Sequence, residues 1–262
     1  MTDIVLVTRR GPLGLITLNQ PEARNPLNRD SAAALLDTFG ELFADPDVRS
    51  LAITGAGPAF SAGGDLRQMS TFSALPAEEA YAWPEAIVAL HKLMLEAPKP
   101  VIAAVDGAAY AGGMGLAGMC DIVLATERSS FAMPEVKIGI FPMIIVAHLA
   151  RSIPRKVLLE MMLTGDPIDA AEAHRVGFVR AVHPDRAALL AAVDRYGERF
   201  AAVSPNAIRL GRRAFTLLSD LPATQALDAA QFLNVPFFLG SDLQEGADAF
   251  LTKRPPRWQE GD

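Results

Sequence analysis

Two glycine-rich segments constrain this chain more than any other feature: Phe60-Ser61-Ala62-Gly63-Gly64-Asp65 and Ala111-Gly112-Gly113-Met114-Gly115. Each follows an apolar run of strand character, Leu51–Thr54 before the first and Val101–Val105 before the second. Each leads into a segment able to start a helix. Glycine permits a sharp bend and a close approach to the backbone. Amides at a helix start have no partner inside the helix and point outward. Two such elbows set side by side aim two N–H groups at one oxygen atom, which is the geometry of an oxyanion hole. Taken singly, such glycines more often serve tight turns and helix–sheet packing.

The surrounding pattern fixes the fold class. Short strands over Ile4–Val7 and Leu15–Leu18 flank the turn Gly11-Pro12-Leu13-Gly14. Asn28 is a candidate cap for a helix from Asp30 to Phe43, with Ala33, Leu36, Phe39, Gly40 and Phe43 as its buried face. Residues 70–85, punctuated by Ser70, Thr71, Ser73, Pro76 and Pro84, read as a mobile loop. Ile87–Leu95 is helical until Pro98 and Pro100, and a strand follows the second elbow over Asp121–Ala125. Strands and helices alternate to about residue 165, which predicts a largely parallel α/β core. Beyond it the last strand signal is Phe178–Val182. Helices are predicted over Ala187–Ala202, Pro205–Leu218, Thr224–Leu233 and Leu243–Leu251. The division is therefore a core over 1–200 and a helical C-terminal region over 201–262, whose apolar faces suit packing on a neighbouring subunit.

Composition removes several function classes. A net charge of −6 argues against nucleic-acid and membrane-surface binding. The lone Cys120 excludes an intrachain disulfide and a Cys-rich metal site. His91, His148, His174 and His183 lack metal-ligand spacing, so no metal is expected. The N-terminal Met1-Thr2-Asp3-Ile4-Val5 has no basic region followed by a long apolar run, and no apolar stretch reaches membrane-spanning length. A cytoplasmic protein is expected. Gly113-Met114-Gly115-Leu116-Ala117-Gly118 matches the dinucleotide fingerprint. It comes late in the chain, however, and the next strand ends too soon for a crossover helix, so NAD binding is set aside.

The elbows also belong to an ordered series of blocks. Asn19-Gln20-Pro21-Glu22-Ala23-Arg24-Asn25-Pro26-Leu27 comes first, then Ala59 to Leu66, then Lys99 to Gly107 and Ala111-Gly112-Gly113. Cys120-Asp121-Ile122, Phe131-Ala132-Met133-Pro134-Glu135, Leu163-Thr164-Gly165-Asp166 and Ala249 to Arg254 follow. Across nearly its whole length the sequence resembles the crotonase (enoyl-CoA hydratase/isomerase) superfamily. The resemblance implies a spiral of β-β-α turns with a helical C-terminal region that forms trimers, often stacked into hexamers. It implies an acyl-CoA thioester as substrate, with coenzyme A arriving as part of that substrate and no separate cofactor. It puts the two oxyanion amides on Gly64 and Gly112. It runs the adenine pocket along the backbone at Ala62 and Leu66 and offers Arg24 and Lys253 to the CoA phosphates.

The resemblance also points to the reaction. Hydratases of this superfamily carry two glutamates. Glu135 matches the second, but the first falls on Gly115, which has no side chain. The two-glutamate grip on an attacking water is therefore missing. One carboxylate facing an oxyanion hole suffices to move a proton from the alpha to the gamma carbon of a 3-enoyl-CoA, so isomerisation is favoured. Related hydrolases and dienoyl-CoA isomerases place an aspartate after the residues matching Phe141-Pro142, where this chain has Met143. Hydration without the first glutamate, thioester hydrolysis and an inactive acyl-CoA binder stay as alternatives. Met143-Ile144-Ile145-Val146 replaces a glycine-rich stretch of ordinary hydratases and predicts a narrower, drier acyl pocket around Gly115 and Met143, with part of the stretch serving as helix core.

Overall fold

The computed structural model describes residues 3–259. Met1 and Thr2 of the N-terminal stretch, and residues 260–262 at the end of the C-terminal region, lie outside the described residues. Strand β1 (Val5–Arg10) pairs antiparallel with β2 (Leu13–Leu18), so the hairpin turn needs only Gly11, at φ +60°, and Pro12. Helix α1 (Arg29–Ala44) starts at Asn28 with a reciprocal capping box. The Asn28 side chain accepts from the Ser31 N–H, and Ser31 Oγ accepts from the Asn28 N–H. Its buried face is Ala32, Leu35, Phe39 and Leu42. This corrects the expected face: Ala33 and Gly40 are exposed, while Leu36 and Phe43 flank the core. Both stripes have helical spacing, and only the lie of α1 across the rest of the molecule chooses between them.

The chain then repeats a long strand, a short strand and a helical segment. Strand β3 (Ser50–Gly55) is followed by β4 (Ala59–Ser61) and the helices α2 (Leu66–Met69), α3 (Ala77–Ala82) and α4 (Glu85–Leu95). Residues 70–85 are thus largely helical and not an open loop. Pro76 and Pro84 stand at the N-caps of α3 and α4, where a missing N–H costs nothing. Phe72 packs at a tilt against Trp83, with centroids 4.5 Å apart, and ties the segment down. The next turn is β5 (Val101–Val105), β6 (Ala108–Tyr110) and α5 (Gly112–Gly118). The third is β7 (Ile122–Thr126) and β8 (Ser130–Ala132), followed by α6 (Met143–Leu149) and α7 (Arg155–Thr164). Strand β9 (Ile168–Asp169), helix α8 (Ala170–Arg175) and β10 (Ala181–His183) complete the core.

The long strands and the short β10 form one sheet in the order β1-β2-β3-β5-β7-β10, parallel after the first hairpin. The other short strands form a second sheet, β4-β6-β8-β9. Alternate residues of the long sheet serve opposite faces. Ile53, Ala103 and Val105 join the main core with Phe39, Phe60 and Phe131. Ala52, Ile102 and Ala104 pack under helix α9 (Arg186–Ala201) through Leu189, Ala192 and Val193. Phe178 and Val179 do not extend β10 as expected. They enter the core, with Phe178 edge-on to Phe131 at 5.3 Å.

Helices α10 (Pro205–Ser219), α11 (Ala223–Leu233), α12 (Val235–Phe238) and α13 (Ser241–Thr252) form the C-terminal region. Among their residues only Ala249 is buried. Phe215, Phe232, Phe238, Leu239 and Phe250 stand exposed, Leu239 by 83% and Phe250 by 84%. No helix among the described residues is long and apolar enough to cross a membrane.

Candidate active site

The two glycine elbows touch. A β-carbon on Gly63, which sits at φ +83°, would lie 2.6 Å from both Ala111 Cβ and the Tyr110 carbonyl oxygen, and 3.0 Å from the Gly112 nitrogen. Gly113 is equally confined, because a β-carbon there would lie 2.5 Å from the Ser61 carbonyl oxygen. The spiral causes this meeting: β4 and β6 are parallel neighbours, so the segments leaving them run side by side. Ala111 takes φ +50°, ψ −125° to make its turn, a conformation strained for a residue with a side chain. Among the described residues, the N–H groups of Gly64 and Gly112 donate to no protein acceptor, whereas the neighbouring Gly63 N–H bonds Ser61 Oγ.

A clamp not foreseen from the sequence holds the first elbow. Asn25, buried and at φ +53°, donates through Nδ2 to the carbonyls of Ala56 and Ala59, both at 2.9 Å, and accepts from the Gln20 N–H. The chain on either side of it then engages the elbow. The Ala62 N–H donates to the Arg24 carbonyl at 2.9 Å, and the Leu27 N–H donates to the Gly63 carbonyl at 2.7 Å.

Facing the elbows is a cavity of about 430 Å³. It brings together Ala62, Gly64, Leu66, Gly112, Glu135 and Met143 from the residues expected at a site. Met69, Trp83, Ile87, Ile138, Ile140 and Phe141 complete much of an apolar wall. Trp83 and Ile87 come from the segment read as a loop and from the helix after it, and helical spacing with Leu90 and Met94 was their only signal. Arg24 is exposed on the turn beside the first elbow, and Lys253 is exposed at the C-cap of α13; neither lines the cavity. Gly115 is buried one helical turn beyond Gly112, behind Ile145. A second cavity, of about 470 Å³, lies beside β7 and α8 but contains neither elbow nor Glu135. Its carboxylate, Asp121, is occupied by Arg212 and the Val101 N–H, each at 2.8 Å.

Glu135 enters on a short 3-10 turn, Pro134–Ile138, held by Pro134 at its start and ended by Gly139 at φ +84°. Its Oε2 is buried and bonded to nothing among the described residues. Burial raises the carboxyl pKa above the ordinary glutamate value. Lys137, the other ionisable group of the wall, is paired with Asp166 at 2.7 Å. His91 and His148 lie edge to face at 5.1 Å between α4 and α6. Burial lowers their pKa values to about 4 and about 3, so both are neutral core imidazoles near pH 7. No group of three or more His, Cys, Asp or Glu side chains among the described residues could hold a metal ion.

The family model for enoyl-CoA hydratase/isomerase matches residues 8–261. The chain belongs to the enoyl-CoA hydratase/isomerase family. A Thermus thermophilus protein, assigned by its name only provisionally to the enoyl-CoA hydratases, is 36% identical over 249 residues, covering 95% of this chain and 98% of its own. A solved enoyl-CoA hydratase of Mycobacterium smegmatis superposes with a TM-score of 0.90 at 31% identity, covering 98% of this chain and 99% of its own. The human enoyl-CoA hydratase domain-containing protein 3 gives a TM-score of 0.89 at 32% identity, covering 97% and 99%. The spiral of β-β-α turns is therefore the crotonase fold, and the protein is an enzyme of the hydratase/isomerase type. In this family member, two free amides and one partly buried carboxyl share one apolar cavity. That set can polarise a carbonyl and move a proton.

Proposed function

We propose that the protein interconverts 3-enoyl-CoA and 2-enoyl-CoA thioesters. Glu135 takes the proton from the alpha carbon as the beta–gamma double bond moves to alpha–beta. Charge gathers on the thioester oxygen, which the N–H groups of Gly64 and Gly112 bind. Glu135 then returns the proton at the gamma carbon, so no atom is gained or lost. Removing one donor from such a hole typically costs about 10²–10³ in kcat. Backbone at Ala62 and Leu66 is assigned to the adenine, and Arg24 and Lys253 to the phosphates of the coenzyme A that the substrate carries. No other cofactor is needed for this proton transfer.

The observation that carries the reading is that, among the described residues, Glu135 is the only carboxylate lining the cavity that holds the free amides. A second reading, hydration, is favoured by the names of the relatives. Incubation with 3-enoyl-, 2-enoyl- and 3-hydroxyacyl-CoA, followed by mass and absorbance, separates them. The expected result is 3-enoyl to 2-enoyl conversion at unchanged mass. Water uptake as the main reaction overturns it, free coenzyme A points to hydrolysis, and no turnover to an inactive binder.

The enzyme is further assigned as a cytoplasmic homotrimer or a hexamer of stacked trimers. The exposed Phe215, Phe232, Phe238, Leu239 and Phe250 support the oligomer, since large apolar side chains left bare across one helical region suit burial against a partner. Light scattering should give three or six times the 28.0 kDa chain mass, and a monomer at micromolar concentration rejects the assignment.

A further inference from the structure

The wall of the catalytic cavity contains a residue whose role follows from where its side chain stands. Helices α5 and α6 pack closely through the glycines of α5. A β-carbon at Gly115 would fall 2.9 Å from Ile145 Cβ and closer still to Ile145 Cγ2, with His91 Cε1 at 3.8 Å. Ile145 is 4% exposed and lines the cavity that holds Glu135 and Gly112. The space that any side chain at position 115 would enter is therefore already filled with hydrocarbon. The filling is also rigid. β-Branched Ile145 sits within a helix that restricts its χ1, and Leu149, one turn on, is fully buried.

Adding water across an enoyl double bond makes larger demands on this wall than moving a proton does. The water oxygen must bond the beta carbon while one of its O–H bonds breaks towards Glu135, and a proton must be added at the alpha carbon. A water poised for this needs two or more polar partners to hold it. Among the described residues, the other side chains lining the cavity of Glu135 are hydrocarbon or thioether, apart from the Trp83 indole and Lys137, which is bonded to Asp166. We propose that Ile145 is a specificity-determining residue, which fills the space next to Gly115 and so denies a water its second polar partner beside Glu135. The inference rests on the isomerase reading for what Glu135 does, and on packing alone for where Ile145 stands.

The test uses the wild type, Gly115→Glu, Ile145→Gly and the double variant. Each is assayed for hydration of 2-enoyl-CoA and isomerisation of 3-enoyl-CoA, and each is melted. The Ile145→Gly change removes both atoms that crowd position 115. Gly115→Glu alone should melt well below the wild type and gain no hydration. The double variant should recover part of that melting loss and raise the ratio of hydration to isomerisation by about 10²-fold, the scale of one well-placed acid or base. Should Gly115→Glu not fold, Gly115→Ala with and without Ile145→Gly reports the same steric coupling by melting alone. The proposal is overturned if Gly115→Glu melts like the wild type and hydrates as fast as the double variant. It is also overturned if a folded, isomerising double variant gains no hydration. A wild type that fails to isomerise, beside a double variant that hydrates, rejects the isomerase reading and leaves the role of Ile145 standing.

Discussion

Glu135→Gln is expected to lower kcat by about 10²–10⁴-fold, the usual worth of a positioned acid or base, while acyl-CoA still binds. The amide keeps the size of the side chain and loses the ability to take a proton. In the wild type, kcat/KM should rise with pH as Glu135 ionises. The midpoint should lie above the ordinary glutamate value, because burial opposes the charge. The same shift makes a stability prediction of definite sign. Below the unfolded-state pKa the carboxyl is neutral in both states and contributes no difference. Above the folded-state pKa it is charged in both, and the folded state holds that charge short of water. Stability is therefore lost as pH rises through the interval between them. Glu135→Gln should melt above the wild type at neutral pH, and the gain should vanish below about pH 4. Full turnover by this variant sinks the catalytic assignment, and a lower melting temperature at neutral pH sinks the account of its burial.

Gly63→Ala should be the most damaging single-methyl change in the site. Its β-carbon meets the Tyr110 carbonyl and Ala111 Cβ, both at 2.6 Å, and the φ of +83° suits only glycine well. Backbone cannot rotate away as a long side chain can, so the two elbows must separate. Overpacking of this kind costs about 1–3 kcal/mol in stability. Because the amides of Gly64 and Gly112 flank this contact, their displacement should, on the proposed mechanism, lower kcat by about 10²-fold. Gly11, also at positive φ but with open space around it, provides the control: Gly11→Ala should lose stability through backbone strain alone and keep its kcat. A Gly63→Ala variant with normal kcat and melting temperature shows that the elbow contact is dispensable.

Much of this site was legible because its parts are backbone features. A pair of unpaired backbone amides leaves its trace as glycines placed where strands end, and glycine spacing is readable. Asn28 was readable as a helix cap for the same reason, since the Asn28–Ser31 capping box is local. Residues whose work depends on partners far along the chain were not readable. Asn25 acts on Ala56 and Ala59, more than thirty residues away. The Pro-rich stretch over 70–85 looked like a loop because proline breaks helices from inside and starts them from the edge, and only the fold shows which applies at Pro76 and Pro84. The buried stripe of α1 lies one residue from the expected one because its apolar residues are continuous around a wide arc.

Residue order alone sets the alternation of strands and helices, the two glycine elbows, the carboxyl at Glu135 and the absence of one at Gly115. These are properties of residue type and local spacing, and composition alone cannot hide them. Folding brings the elbows into contact, puts their amides and Glu135 in one cavity, and covers Gly115 rather than leaving it merely bare. That last point follows from the close packing of α5 on α6, which sets Ile145 in the space a longer side chain would need. Which volume is occupied is a property of three-dimensional packing, and no order of residues along a chain states it.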